Sequence, residues 1–173
     1  MATYYSDHFS SDGISRTTRD PSKFPDVGLG ASKTFNKIVH VTALALTTDV
    51  IRLCSLPSSA RLIDLMISDG GEAAAGAYNV GLYKSEGLGG AVIDADLFAS
   101  ALAKGGARVD ALIEAGTITK MMRGDYLWKM ADTGDGTFTK DPNEIWDICI
   151  TPSTSFTTTA NSFLAEVKWI LGT

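Results

Sequence analysis

Short apolar runs, each closed off by Gly, Pro, Asp or Ser, recur from Lys37 to the end of the chain, and most of them alternate with a period of two. A strand shows successive side chains to opposite faces, whereas a helix repeats about every 3.6 residues, so this pattern calls for sheets. "KIVHVTALALTT" alternates as a strand. "DVIRLCSL" follows with Val50, Ile51, Leu53 and Leu56 as its apolar positions, and Pro57 ends it. "ARLIDLMISD" opens the next strand with Leu62, Leu65 and Ile67, so Leu56-Pro57-Ser58-Ser59-Ala60 is expected to turn a hairpin.

In "AYNVGLYKS", Tyr78, Val80 and Leu82 share one face while Asn79, Gly81 and Tyr83 share the other. A glycine inside a strand points to a bulge or a close backbone approach at Gly81. "DYLWKMA", "EIWDICITP" and "NSFLAEVKWILG" complete the strands. The last alternates Phe163, Ala165, Val167 and Trp169 with Leu164, Glu166, Lys168 and Ile170, and both of its faces are largely apolar.

One segment has helical spacing. In "DADLFASALAKGG", Asp94 or Asp96 can cap, Leu97, Ala101 and Leu102 share a face, and Gly105 can stop the helix. "ARVDALIEAGTITK" fits a helical turn or a strand equally. About seven or eight short strands, one short helix and no βαβ rhythm predict an all-β fold, an antiparallel β-sandwich or jelly roll.

Residues 1–36 lack either period. Ser, Thr, Asp, Gly and scattered prolines read as an extended N-terminal arm, leaving 37–173 as the sandwich domain. Tyr4, Tyr5, Phe9, Phe24 and Phe35 set this arm apart from a purely solubilising tail and are the candidate residues for an interface with other subunits. Extended at about 3.3–3.6 Å per residue, such an arm reaches on the order of 100 Å, enough to cross a neighbouring molecule. Wrapping its own domain is the alternative.

The formal net charge is −5, and no Lys/Arg cluster offers phosphates a surface, so nucleic acid is not an expected partner. No apolar run approaches the roughly 18–20 residues of a membrane span, and "MATYYSDHFSSDG" lacks the order of a secretory signal, so synthesis in a cytoplasm is expected. Cys54 and Cys149 sit in apolar strand-like segments and read as buried free thiols. Pairing them would take neighbouring strands and an oxidising compartment.

Motifs that carry chemistry are missing. An EF-hand begun at Asp132 fails, because Gly136 stands at a ligand position and Thr137 where the glycine belongs. Asp132, Asp135 and Asp141 suit a solvated loop better than a looser calcium site. His8 and His40 have no Cys or His companions at zinc spacing. No Ser or Cys has a nucleophile elbow or a local relay. "VGLGAS" (27–32) and "EGLGGA" (86–91) lack a phosphate loop's lysine and read as flexible turns. Trp128, Trp146 and Trp169 would stack a sugar only from one exposed face, and burial is preferred for them. No catalytic, metal or cofactor site is therefore expected.

The ordered set "DVIRLCSLPSSARLIDLMIS", "YNVGLY", "DADLFASA", "LWKM", "EIWDICITP" and "FLAEVKWI", spanning Lys37 to Ile170, resembles the head decoration or cement proteins of tailed bacteriophages. The longer arm and the "GEAAAGAYN" and "GDGTFTKDPN" segments depart from that pattern. The resemblance implies a non-catalytic virion protein on the outer capsid surface, bound to the major capsid protein and assembled as a homo-oligomer, a dimer or trimer. A carbohydrate- or host-binding sandwich, or the base of a head fibre, is the alternative function.

Overall fold

The computed structural model describes residues 3–5, 33–41, 47–69, 76–103, 105, 108–112, 124–131, 138–154, 156 and 161–171. Their apolar alternation resolves into two sheets. One has the order β1 (Thr3–Tyr5), β3 (Val50–Pro57), β8 (Ile145–Thr154), β5 (Ala77–Lys84) and β6 (Val92–Ala103). The other has the order β2 (Lys33–Val41), β9 (Asn161–Leu171), β4 (Ala60–Asp69) and β7 (Arg108–Asp110). Every pairing is antiparallel except that of β1 with β3. The predicted all-β sandwich is the observed architecture.

One face of each sheet enters a shared core. Ile51, Leu53, Tyr78, Val80, Leu82, Trp146, Ile148 and Ile150 supply it from the first sheet, and Leu62, Leu65, Ile67, Phe163, Ala165 and Val167 from the second. The edge-on contact of Tyr78 with Phe163, with ring centroids 5.4 Å apart, joins the two layers directly. Strand β9 lies at the centre of its sheet, between β2 and β4.

The expected hairpin at Leu56–Ala60 is instead a crossing between sheets, since β3 pairs with β8 and β4 with β9. Ser58 explains it. Its backbone N–H donates to the Glu144 carbonyl at 2.8 Å, its hydroxyl accepts from the Glu144 N–H at 3.1 Å, and that hydroxyl donates to the Asp141 carboxylate. The turn is thus fastened to the segment that enters β8, and the chain leaves it toward the opposite layer.

The expected helix over 94–105 is strand β6. Intrinsic preference loses to pairing with β5, which buries Leu97, Phe98, Ala99 and Leu102. The would-be caps serve elsewhere: Asp94 Oδ1 accepts from the Asp96 N–H at 3.1 Å, and Gly105 donates to Asp69 Oδ2 at 3.1 Å. Conversely, "DYLWKMA", expected as a strand, contains helix α1 (Leu127–Ala131), whose buried Leu127 and Met130 are three residues apart on one face. In the undecided segment after Gly106, Arg108–Asp110 is strand β7. The expected boundary between arm and domain at 36/37 falls inside β2, and residues 3–5 are a sheet strand.

Candidate functional site

Three of the five candidate interface aromatics lie in described edge strands. Tyr4 and Tyr5 stand in β1, in register with Ile51 and Arg52, and Phe35 stands in β2, opposite Val167. Phe9 and Phe24 lie outside the described residues. Strand β2 passes close to both β1 and β3, so the two edge strands lie on the same flank of the sandwich.

The outer face of the β1-containing sheet carries a polar cluster that its sequence spacing hides. Arg52 is buried and its Nη1 donates to Asp147 Oδ2 at 2.5 Å and to the Lys84 carbonyl at 3.3 Å. Ser55 donates to the other Asp147 oxygen, also at 2.5 Å. Glu86 stands 3.9 Å from Arg52 Nε, which makes no hydrogen bond. The register requires this grouping, because Arg52 faces Cys149 and Ser55 faces Asp147 across the β3–β8 pair, while Tyr83 faces Asp147 across β5–β8.

Burial draws the Arg52 pKa down, but its electrostatic interactions, with Cys149 and Asp147 first, outweigh that and hold its proton more tightly than usual. Cys149 is pushed well above the ordinary thiol range by burial and then by the nearby Asp147 charge. Cys54 is pushed up in the same way. Both are buried free thiols, as the sequence predicts. Cys54 belongs to the inter-sheet core, whereas Cys149 packs with Val50 and Tyr83 in a separate small cluster. A protonated, enclosed thiol is a poor nucleophile, and Asp147 already serves Arg52 and Ser55. The cluster's chemistry is that of a clamp, fastening the β5–β6 connection onto the sheet.

That connection, Ser85 to Ala91, is a single 3-10 turn over Glu86–Leu88. It is held by hydrogen bonds from Leu88 N to Ser85 O (2.8 Å), Gly89 N to Glu86 O (2.9 Å), Gly90 N to Ser85 O (3.1 Å) and Lys84 N to Ala91 O (2.8 Å). Gly89 and Gly90 take φ of 88° and 64°, values that L side chains rarely adopt. A side chain at Gly90 would also meet the Arg52 guanidinium. The turn that reads as flexible in the sequence is therefore fixed by its own hydrogen bonds and by the clamp beneath it.

Other candidates disperse. Trp146 is fully buried with its Nε1 donating to Glu144, and Trp128 and Trp169 pack partly buried against the core, so the three indoles share no exposed platform. Asp132 and Asp135 lie outside the described residues, whereas Asp141 accepts from Ser58 and from the Asn143 N–H. His8 also lies outside them, and His40 stands opposite Ser162 in β2. Among the described residues no group of His, Cys, Asp and Glu is placed to hold a metal ion. Among them, too, no helix is long and apolar enough to cross a membrane.

No protein-family model matches this chain, and no curated protein matches it. Solved structures do. A chain of the capsid of Ralstonia phage GP4 superposes with a TM-score of 0.56 at 15% sequence identity, over 99% of this chain and 99% of that one. A chain of the cyanophage Pam1 capsid asymmetric unit gives 0.47 at 15% identity, over 94% of this chain and 99% of that one. At such identity the Ralstonia phage likeness is a likeness of fold, and it runs the length of both chains.

Proposed function

We propose that this chain is a non-catalytic virion structural protein of a tailed bacteriophage, a cement or decoration protein that binds the major capsid protein lattice and stabilises the head. The observation that carries this reading is the fold likeness to a chain of the Ralstonia phage GP4 capsid, which covers 99% of each of the two chains. The order of motifs from Lys37 to Ile170 supports it from the sequence.

In this reading the protein sits on the outer capsid surface as a homo-oligomer, with no nucleic acid or membrane as partner. The segment 1–36, tied to the sheets through β1 and the start of β2, is its gripping arm, and Tyr4, Tyr5, Phe9, Phe24 and Phe35 are the contacts proposed for it. Each contact can be modest. Several contacts per oligomer on a repeating shell multiply through effective concentration.

Co-sedimentation with capsid shells prepared without this protein tests the proposal. Saturable binding by the full chain, weakened by about tenfold or more on deleting 1–32, which leaves β2 whole, is the expected outcome. No binding at saturating protein removes the cement role, and full binding by the deleted chain removes the arm from it.

A further inference from the structure

The outer face of the second sheet balances its own charges along much of its length. Across β4–β9, Asp64 stands opposite Lys168 and Arg61 opposite Ile170, and Glu166, Lys168 and Ile170 alternate on the side away from the core residues Ala165 and Val167. Arg108 pairs with Glu166, and Lys168 Nζ lies 3.3 Å from Glu166 and 3.6 Å from Asp64. These cations and carboxylates cancel one another.

At the Arg61 end the cations meet rings instead. The Arg61 guanidinium carbon lies 5.5 Å from the centre of the Tyr126 ring, and Lys129 Nζ lies 5.3 Å from that centre and 5.6 Å from the centre of the Trp128 ring. The two rings are themselves 6.3 Å apart. These contacts place all four side chains in one patch, with Arg61 and Lys129 exposed and both rings half-buried. Among the described residues neither cation has a carboxylate partner. The acid next to them in the chain is Asp125, whose Oδ1 accepts from the Tyr126 N–H at 2.8 Å. Counted as fully charged, it leaves the patch with a surplus of positive charge in a chain of −5 overall.

The patch is also ordered before any partner arrives. Arg61 Nε donates to the Gly124 carbonyl at 2.6 Å, Gly124 N–H to the Leu62 carbonyl at 2.6 Å, and Trp128 N–H to the Ser58 carbonyl at 3.1 Å. Such preorganisation reduces the entropy lost on binding. An aromatic face attracts a cation without neutralising it, so both charges remain to be met. Arg, Tyr and Trp are the residue types that dominate binding energy between proteins, whereas a pair of cations beside a carboxylate is a poor surface for a phosphate backbone. The complement is a protein segment that brings carboxylates to the cations and apolar atoms to the ring edges.

We propose that Arg61, Lys129, Tyr126 and Trp128 form a docking patch for an acidic segment of the capsid lattice protein. This rests on the cement reading and names the chemistry of a contact made by the sandwich itself, separate from the arm.

The test uses the full-length chain and capsid shells prepared without it, comparing wild type with R61Q/K129Q, K129Q and R108Q. Gln keeps a stem over the rings and removes the charge, so thermal unfolding should fall by no more than a few degrees. R61Q/K129Q should weaken shell binding by about fivefold or more at low salt, with the deficit shrinking as salt rises. K129Q should show a smaller loss in the same direction, and poly-L-glutamate should inhibit wild-type binding. R108Q should bind as wild type does, because Arg108 faces Ser68, roughly 20–25 Å along β4 from Arg61. If wild type binds saturably and R61Q/K129Q binds equally well, or R108Q loses as much, the patch is overturned while the cement role stands. If wild type does not bind at all, the cement role falls and takes the docking patch with it. If R61Q/K129Q keeps shell binding but loses self-association in sedimentation velocity, or loses retention of duplex DNA, the patch belongs to a second copy or to nucleic acid, and the partner named here is overturned.

Discussion

Glu144 is approached from two sides, by Trp146 Nε1 at 2.9 Å and by Lys84 Nζ at 3.1 Å. The indole hydrogen bond first, and the lysine after it, outweigh partial burial and hold the carboxyl below the ordinary glutamate value of about 4.3. Between those two values the unfolded chain binds more protons than the folded one. The contribution to stability is therefore complete above the ordinary value and is lost as pH falls through the folded one. Replacing Glu144 with Gln keeps an acceptor for the indole but removes the charge. Denaturant unfolding should then show a slightly lower midpoint at pH 7 and a shallower decline on acidification. An acid limb as steep as wild type would place the titrating carboxylate elsewhere. None of this grouping is visible from sequence spacing, because Lys84 and Glu144 are 60 residues apart and Arg52 and Asp147 are 95 apart.

Among elements, β5 and β6 show where sequence reading succeeds and where it fails. The glycine of "YNVGLY" signals a close approach, and a Cβ at Gly81 would collide with the backbone of Ala95 and Asp94. Between Val80 and Leu82 the partner strand runs from Ala99 to Asp94, so the surplus residues of β6 bulge over the glycine. Gly81→Ala should cost about 1–3 kcal/mol or more, since backbone cannot yield as a side chain can. Gly87→Ala, with open space around it, should change stability by less than about 0.5 kcal/mol. Equal effects in a denaturation series would refute the collision. β6 itself misleads because Leu97, Ala101 and Leu102 also satisfy helical spacing, and only the presence of β5 beside it decides. Strands β3, β5, β8 and β9 are legible for the opposite reason: β-branched and aromatic residues alternate there over a long enough stretch to exclude a helix.

For the whole molecule, the sandwich class follows from patterns that each strand carries alone, whereas the division of strands between layers depends on partners far along the chain. The crossing at Ser58 could not be told from a hairpin for that reason. The candidate interface was legible only as residue type, because an aromatic in an irregular segment names no surface, and the clamped tip was hidden inside a glycine-rich turn. The two thiols report on the integrity of the whole. Cys54 is enclosed in the core and Cys149 is buried with Val50 and Tyr83 against Ala95 of β6, so neither should react with a thiol reagent such as DTNB in the native protein. Both should react together once the protein is unfolded in denaturant. Rapid native labelling of Cys149 alone would mean that its small cluster opens independently of the core.

The crossing at Ser58 also sets the order in which the chain can be made into a protein. β3 must wait for β8 and β4 must wait for β9, so neither layer can close until β8 and β9 have left the ribosome. Until then the apolar faces of β3 and β4 have no permanent partners, and long-range pairing of this kind is slow and exposed to aggregation. A nascent chain of this design is therefore most vulnerable just before β8 and β9 emerge, and its yield in the cell depends on how fast those strands are delivered.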